Sequence, residues 1–405
     1  MSRPSLRRTP KLESLEIRQV LSTVLGPSPA EQYALSLINM VRTNPSGAAT
    51  KLTTNLTPDV KATLGHFGLT VDGLVSELNS ARPQPPLAWD DSLASSAKQQ
   101  SQYQANNGIQ THQGPGEQNL NDRIASAGYS NDASYGENTY AYASGIEEAM
   151  QSFLFDWGVA DHGHYNNLLQ PGTSADASFK DAGVGLVNVG TNPGGVGPLV
   201  ITQDFGSKQG EGPQIVGVVY DDPKGVGLYS IGSGQSGVTI DLTNLATGVD
   251  TPTTTTASGG FQLPVAANAD YEIKATENGR VISARRVHVG NNNVEADFVH
   301  DPNANASPAP APAPAPAAPS IQAPAPAPSP VPTTFAPVSI DLSSQASAQT
   351  KTQSNDTSSQ PNFEAQVLIP LQLDQFTVTQ AQNSNTDTPA PKLAGWSHWF
   401  ARKSG

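Results

Sequence analysis

Between residues 31 and 206 the apolar positions change period more than once. In EQYALSLINMVRTNP, Leu35, Ile38 and Val41 recur at helical spacing and the run stops at Pro45, which predicts a helix ending there. Asn39 and Arg42 lie three apart on that helix, on neighbouring faces. DSLASSAKQQSQYQANNG predicts a second helix, with Ser92 as its cap and Gly108 as its stop, and SGIEEAMQSFLFDWG predicts a third. DAGVGLVNVG and GPLVITQDFG instead alternate apolar and other residues on either side of NPGG, the pattern of a β-hairpin. Helices followed by an antiparallel hairpin predict an α+β domain over 31–206.

Beyond this region the pattern shortens. IVGVVYDD, SGVTIDLTN, GGFQLPV, DYEIKATENG, RVISARRVHVG and NVEADFV are short strand signals divided by Gly, Asn and Pro turns, so 211–300 reads as an all-β sandwich. Residues 301–337 are dominated by Pro and Ala, which hold the backbone extended as a semi-rigid spacer. The tail, 338–405, is rich in Ser, Gln, Thr and Asn and reads as mostly disordered. Within it NFEAQVLIPLQLDQFTVTQ is apolar enough to pair as a strand or bind a partner. Its end sets Trp396, Trp399 and Phe400 beside Arg402 and Lys403, a combination suited to association with a membrane or wall polymer; a frayed tail is the plainer alternative.

Composition narrows the classes. At 405 residues the chain is too long for one ordinary domain. It has no cysteine, so disulfides, thiolate metal sites and cysteine nucleophiles are excluded. A net charge of −13 argues against nucleic acid or anionic membrane as a partner of the whole protein. No run of about 18 apolar residues is present, so no transmembrane helix is expected. The leader, 1–30, is basic at its start, but its apolar patch VLSTVLG is short and preceded by Glu13 and Glu16, which makes a poor secretory signal.

Candidate chemistry centres on VADHGHYNNLL, which sets His162 and His164 beside Asp161 in a chain of only 7 histidines. Other polar candidates, His112, Glu137, Glu147, Glu148 and Asp156, lie in separate segments that only a fold could gather. Two imidazoles from separate segments suit a zinc ion with open positions, and a carboxylate such as Glu137 serves either as a third ligand or as the partner that orients a ring. A His–Glu pair can equally tie helices to a sheet. No G-x-S-x-G elbow, H-E-x-x-H helix or phosphate loop is present.

Taken in order, EQYALSLINMVRTNP, PLAWDDSLASSAKQQSQYQ, THQ, NDRIASAGY, YGENTY, GHYNNLLQP, AGVGLV and ITQDFG resemble the CAP superfamily of cysteine-rich secretory proteins, antigen 5 and pathogenesis-related proteins, also called the SCP domain. The resemblance implies an α–β–α sandwich around a mostly antiparallel sheet, with a cleft holding two histidines and two acids. Carried over by motif, His112 is the first histidine, Glu137 the acid of GEN with Asn138 structural beside it, and His164 the second histidine. The fourth position falls to Asp156 or Asp161, because Ala160 stands where a W-x-x-E motif needs its acid; Tyr165 replaces the usual arginine. Asn39 and Arg42 match the family's I-N-x-x-R segment, and the expected role is a buried network anchoring the first helix, since arginine offers five donors. His162 has no counterpart and is expected in an exposed turn.

Two further resemblances extend this picture. LESLEIRQVLS resembles a segment near the start of many exported planctomycete proteins, through Leu12, Glu13, Leu15, Glu16, Arg18, Leu21 and Ser22, and implies an extracellular or cell-surface protein. GVVYDDPKGVGLYSIGSGQSGVTIDL and its followers resemble prealbumin-like repeats of bacterial surface proteins. In such repeats a D-x-N-x-D-G loop binds calcium. Here Asp221 and Asp222 remain, while Lys224 and Val226 replace further oxygen ligands, so calcium binding is expected to be weak or absent. The expected protein is therefore an α–β–α sandwich followed by a prealbumin-like sandwich, a Pro/Ala linker and a disordered tail. It is expected to bind a lipid, a polysaccharide or a divalent metal in a cleft of His112, Glu137, His164, Asp156 and Asp161, with His112 and His164 as metal ligands. A small ligand or cell-envelope polymer is the expected partner. The competing readings are a metal-dependent hydrolase with Glu137 as base, and an adhesion or envelope protein with a vestigial cleft.

Overall fold

The computed structural model describes residues 26–130, 132–190 and 195–300. The export segment up to residue 25, the Pro/Ala linker, and the tail with Trp396, Trp399 and Phe400 lie outside the described residues.

In chain order the first part contains α1 (Pro29–Thr43), α2 (Pro45–Thr53), α3 (Pro58–Phe67), α4 (Val71–Ser80), β1 (Ala88–Trp89), α5 (Asp91–Asn107), α6 (Leu120–Ser126), β2 (Asp132–Ala143), α7 (Ile146–Phe155), α8 (Gly163–Leu169), β3 (Asp181–Asn188) and β4 (Leu199–Lys208). α1 starts earlier than its apolar stripe suggests. Ser28 and Glu31 form a capping box, each side chain accepting from the other residue's backbone N–H, and Pro29 occupies the first turn. Pro45 does not end the helical region. Asn44 closes α1, and its side chain accepts from Gly47 N at 3.0 Å to cap α2, which Pro45 opens. On α5 the cap is Asp90, not Ser92: its carboxylate accepts from Ser92 N at 2.8 Å and Leu93 N at 3.1 Å. Gly108 ends α5 in the left-handed region (φ 63°), where glycine carries no Cβ penalty.

The sheet runs β1-β3-β4-β2, with β1 parallel to β3 and the other pairs antiparallel. The alternating patterns of β3 and β4 are the predicted hairpin. β2 carries no apolar alternation because its centre is buried on both sides, polar Glu137, Asn138 and Thr139 included. Helices cover both faces. Gly183 and Gly185 let α5 lie directly on β3, since a Cβ there would come within 1.9 Å of Ala94 N and 2.2 Å of Lys98 N. The opposite face packs Val184, Ile201 and Phe205 against Leu37, Ile38, Phe153 and Leu168 of α1, α7 and α8.

Arg42 is fully buried on α1 and donates to Pro85 O and Leu168 O, each at 2.8 Å, and to Phe179 O at 3.4 Å. Asn39 exchanges two hydrogen bonds with the backbone of Leu87, at 3.1 and 2.8 Å. These two side chains join α1 to segments 43 to 137 residues away, the donor fork reaching carbonyls that no strand or helix satisfies.

The second part contains β5 (Gln214–Tyr220), β6 (Thr239–Asn244), β7 (Asp250–Thr254), β8 (Gly260–Pro264), β9 (Ala269–Glu277), β10 (Arg280–Val289), β11 (Val294–Glu295) and β12 (Phe298–Val299). One sheet runs β10-β9-β6-β7. In the other, β5 pairs antiparallel with β8 and parallel with β11 and β12. Ile215, Val219, Ile240, Ile273 and Phe298 share one core between the sheets. β7, the edge strand DTPTT, has no apolar pattern and forms through pairing with β6.

The two parts pack as one compact unit. Val218, Tyr220 and Tyr229 enter the first core. Gln262 exchanges hydrogen bonds with the backbone of Trp89, both at 3.0 Å, and Asn293 donates to Pro86 O at 3.1 Å and Lys180 O at 2.8 Å. Between the parts lies a cavity of about 580 Å³ edged by Glu295 and Asp297. Glu295 accepts from Thr43 at 3.3 Å and Asp297 from Val218 N at 2.9 Å. Burial, with the Asp297 charge adding to it, pushes Glu295 up to about 8, and burial pushes Asp297 up to about 6. Both folded-state values exceed those of free carboxyls, so the fold favours the protonated forms. Their favourable contribution is complete below the free carboxylate range and is lost as pH rises through about 6 and then about 8. Stability in denaturant titrations is expected to fall by a few kcal/mol between about pH 5 and about pH 9, and Glu295→Gln to remove much of that slope. A flat profile in the unsubstituted chain would contradict this account of the seam.

Candidate functional site

β2 is an edge strand, so both faces of its central GEN segment are accessible to side chains approaching around the sheet's rim. Glu137 points toward α5 and α6, Asn138 toward α8, as alternation along a strand requires. Past the Gly108 turn, Thr111 is held by the α5 side chains of Gln100 and Gln104, which fixes the loop bearing His112. His112 Nδ1 lies 2.7 Å from Glu137 Oε1, and Arg123 of α6 donates to Glu137 Oε2. Glu137 and Arg123 are each 2 % exposed at the side chain, whereas His112 is 59 % exposed. A deeply placed carboxylate thus holds an open imidazole.

His164 is built from the other side. α7 ends at Asp156 in the left-handed conformation (φ 51°), which aspartate tolerates better than most residues. The turn returns the Asp156 carboxylate to the start of α8. Its Oδ2 accepts from His164 N at 3.0 Å and Tyr165 N at 3.2 Å, and its Oδ1 lies 2.6 Å from His164 Nδ1. Asn138 donates to His164 O at 3.2 Å, and Asn167 donates to Asn138 Oδ1 at 2.9 Å and Glu137 O at 3.0 Å. α8 is thereby tied to the GEN strand. The His112 and His164 rings stand with centroids 6.1 Å apart and line a cleft of about 680 Å³ together with Tyr140, Tyr142, Trp157 and Val159.

Of the two acids left open for the fourth position, Asp156 is the one that meets His164. Asp161 lies exposed on the rim, its backbone carbonyl accepting from Asn166 at 3.0 Å. His162 is exposed in the turn before α8 and sits edge-on to Tyr165, centroids 6.5 Å apart. Tyr165 is half-buried, and burial raises its phenol above the ordinary range. Glu147 and Glu148 lie on the first turn of α7 and engage Tyr33, Lys51 and Ser144 instead of the cleft. Arg123, the cation that meets Glu137, has no sequence signal of its own; nothing in NDRIASAGY distinguishes it from a surface arginine beside Asp122.

Because each Nδ1 faces its own carboxylate, Nε2 is the nitrogen each ring has left for a ligand. Carboxylate–imidazole pairing of this kind orients rings that bind metal. The donor set offers two imidazoles, and among the described residues no group of three or more His, Asp or Glu side chains converges as a metal cage. Glu137 Oε1 meets the His112 ring and Oε2 meets Arg123, the placement of a carboxylate that orients a ring. In the second part, Asp222 accepts from Gly227 N at 2.7 Å and Val226 N at 2.9 Å, and these amides hold it below the usual carboxylate range. Asp221 is taken by His300 at 2.7 Å and Gln235 at 2.8 Å. Of the two acids of the expected calcium loop, Asp222 is thus bonded within its own loop and Asp221 by side chains from elsewhere in the second part.

Residues 35–193 match the family described as CAP, the cysteine-rich secretory protein family. A comparison with curated proteins returns no match. Among solved structures the chain is similar to an extracellular protein containing a SCP domain from Bacillus anthracis, at 25 % identity and a TM-score of 0.24, over 38 % of this chain and 45 % of that one. It is also similar to an outer surface protein from Borrelia burgdorferi, at 15 % identity and a TM-score of 0.25, over 38 % of this chain and 96 % of that one. The chain therefore spans less than half the length of the first. No described helix is long and apolar enough to cross a membrane.

Asp156→Ala removes the acceptor of two backbone N–H groups and the partner of His164, and leaves a Cβ residue in the left-handed region. The expected loss is about 2–4 kcal/mol in denaturant unfolding, with Asp156→Asn, which keeps an acceptor and tolerates the conformation, losing clearly less. Equal losses for the two variants would show that the carboxylate's hydrogen bonds do not hold this turn.

Proposed function

We propose, from the CAP match over residues 35–193, that this segment is the ligand-binding part of an exported or cell-surface protein, and that His112 and His164 form the recognition end of its cleft. The observation that carries this is the pairing of each ring, through Nδ1, with its own buried carboxylate, Glu137 or Asp156, so that two oriented Nε2 atoms remain for one guest.

The cleft's composition supports an amphipathic ligand. Tyr140, Tyr142, Trp157 and Val159 offer an apolar wall, and the imidazoles offer a polar end. If the guest includes a divalent metal such as zinc, His112 and His164 would hold it, and it would draw an oxygen of the ligand toward the polar end. Glu137 and Asp156 keep the rings oriented, and Arg123 balances the Glu137 charge. The hydrolase alternative would need Glu137 as its base, yet Glu137 is held by His112 and Arg123 and turned toward α5 and α6. Residues 211–300 act, in this reading, as a prealbumin-like scaffold, and the Pro/Ala stretch over 301–337 as a spacer that sets the cleft away from its attachment. The Leu12–Ser22 resemblance and this spacer motivate the surface location.

Titrating Zn²⁺ into the full chain, by calorimetry and by equilibrium dialysis, tests the polar end. Saturable binding is expected, weakened by about tenfold or more in His112→Ala and in His164→Ala and unchanged in His162→Ala. No uptake by the unsubstituted chain in either measurement would refute the metal part. Equal weakening by His162→Ala would refute the assignment of the pair.

A further inference from the structure

Directly behind the cleft a second acid faces Glu137. Asp204 on β4 is paired in register with Glu137 on β2, so in this antiparallel ladder the two side chains leave the same face of the sheet. Asp204 is 0 % exposed, and neither of its carboxyl oxygens has a hydrogen-bond partner. The lid over it is α5, whose backbone comes against β3 at Gly183. From α5, Ser96 and Gln100 are also 0 % exposed, and Ser96 Oγ and Gln100 Oε1 are likewise without partners. The charged groups facing this chamber are Glu137 from β2 and Arg123 from α6, with Glu117 acting on both from the loop before α6.

Charge balance then constrains the protons. The single guanidinium is engaged by Glu137, and its Nε has no partner. If Asp204 were also ionised, the chamber would hold two carboxylates against one cation, an excess buried negative charge with only the neutral Ser96 hydroxyl in reach as a donor. Such a charge costs several kcal/mol. Adding one proton removes the excess charge and gives Asp204 a donor with an acceptor in reach, an oxygen of Glu137, while the Ser96 hydroxyl can still donate to its other oxygen. Burial chiefly, and the Glu137 charge after it, drive the Asp204 carboxyl well above its ordinary range, while Ser96 and Arg123 oppose this.

We propose that Asp204 is carried as a neutral carboxylic acid at neutral pH and donates its proton in a hydrogen bond toward Glu137, which makes it the positioning residue behind the Glu137–His112 pair. This holds whether or not the cleft binds a metal. The carboxyl pair shares one proton and one net negative charge, and that charge is directed at Arg123 and at His112 Nδ1. Glu137 therefore cannot rotate back into the chamber without losing its donors, and His112 stays oriented although its side chain is 59 % exposed.

The test uses the full chain at neutral pH. An infrared difference spectrum against Asp204→Asn is expected to show a carboxylic-acid C=O band present only in the unsubstituted chain, with the carboxylate bands unchanged. Loss of carboxylate intensity in the variant, without that band, would show that Asp204 is ionised and overturn the proposal. Should Asp204→Asn not fold, ¹³C-labelled aspartate carboxyls of the unsubstituted chain decide the same point. At about pH 8 the acid at the seam, Asp297, and the Lys208-paired Asp181 have ionised, so one aspartate carboxyl still at its protonated position supports the proposal, and none overturns it. Positioning is read separately from the ¹⁵N signature of the His112 ring. Asp204→Asn, which keeps a neutral donor, is expected to retain it and Asp204→Ala to alter it; an unaltered signature in Asp204→Ala overturns the positioning role.

Discussion

A carboxylate with 2 % of its side chain exposed cannot remain in a protein interior without neutralising partners, and Glu137 is such a group. Much of the arrangement around the cleft answers that constraint. α6 delivers Arg123 to one oxygen, and the loop after α5 delivers His112 to the other. The register of β2 with β4 then sets Asp204 against the same carboxylate, in a chamber closed by α5. The α5 face of the sheet is consequently polar, with Thr139, Thr202 and Ser101 hydrogen-bonded to one another, while the opposite face carries the large apolar core. One layer specifies contacts by hydrogen bonding and the other supplies most of the burial.

The second histidine is held by a different device that reaches the same result. Asp156 ends one helix in a left-handed turn and caps the next, and the same carboxylate fixes the ring of His164. Its backbone hydrogen bonds and its ring contact stabilise each other, because rotating the carboxylate away would release all of them together. Asn138 and Asn167 then connect α8 to the strand that carries Glu137. The two ring-and-carboxylate pairs are therefore mechanically linked although they arise from segments far apart in the chain.

Anchoring of this kind recurs away from the cleft. Arg42 and Asn39 satisfy carbonyls and an N–H in the irregular segments that flank β1, and Gln262 and Asn293 do the same across the seam to the second part. The seam acids, Glu295 and Asp297, are the exception. They edge the cavity at the junction of the two parts with few donors, and their carboxyl groups are raised above the ordinary range.

The sequence by itself determined those features that local physics encodes. The apolar stripe of Leu35, Ile38 and Val41, the glycine at 108 and the alternation on either side of NPGG are short-range signals, and helices α1 and α5 and the β3–β4 hairpin stand where they indicate. The order of short motifs was enough to associate His112, Glu137 and His164. Caps moved by one or two residues, as with Asp90 in place of Ser92, because either residue can serve and only the backbone angles choose. β2 carries no such signal, because an edge strand that buries Glu137, Asn138 and Thr139 has no apolar alternation. Only the tertiary structure decided between Asp156 and Asp161, since five residues of sequence separate them and a left-handed turn turns one inward and the other out. It alone brought in Arg123 and Asp204, because what selects them is the charge on a neighbour from another strand, and a single chain read in order carries no record of which charges will share a buried space.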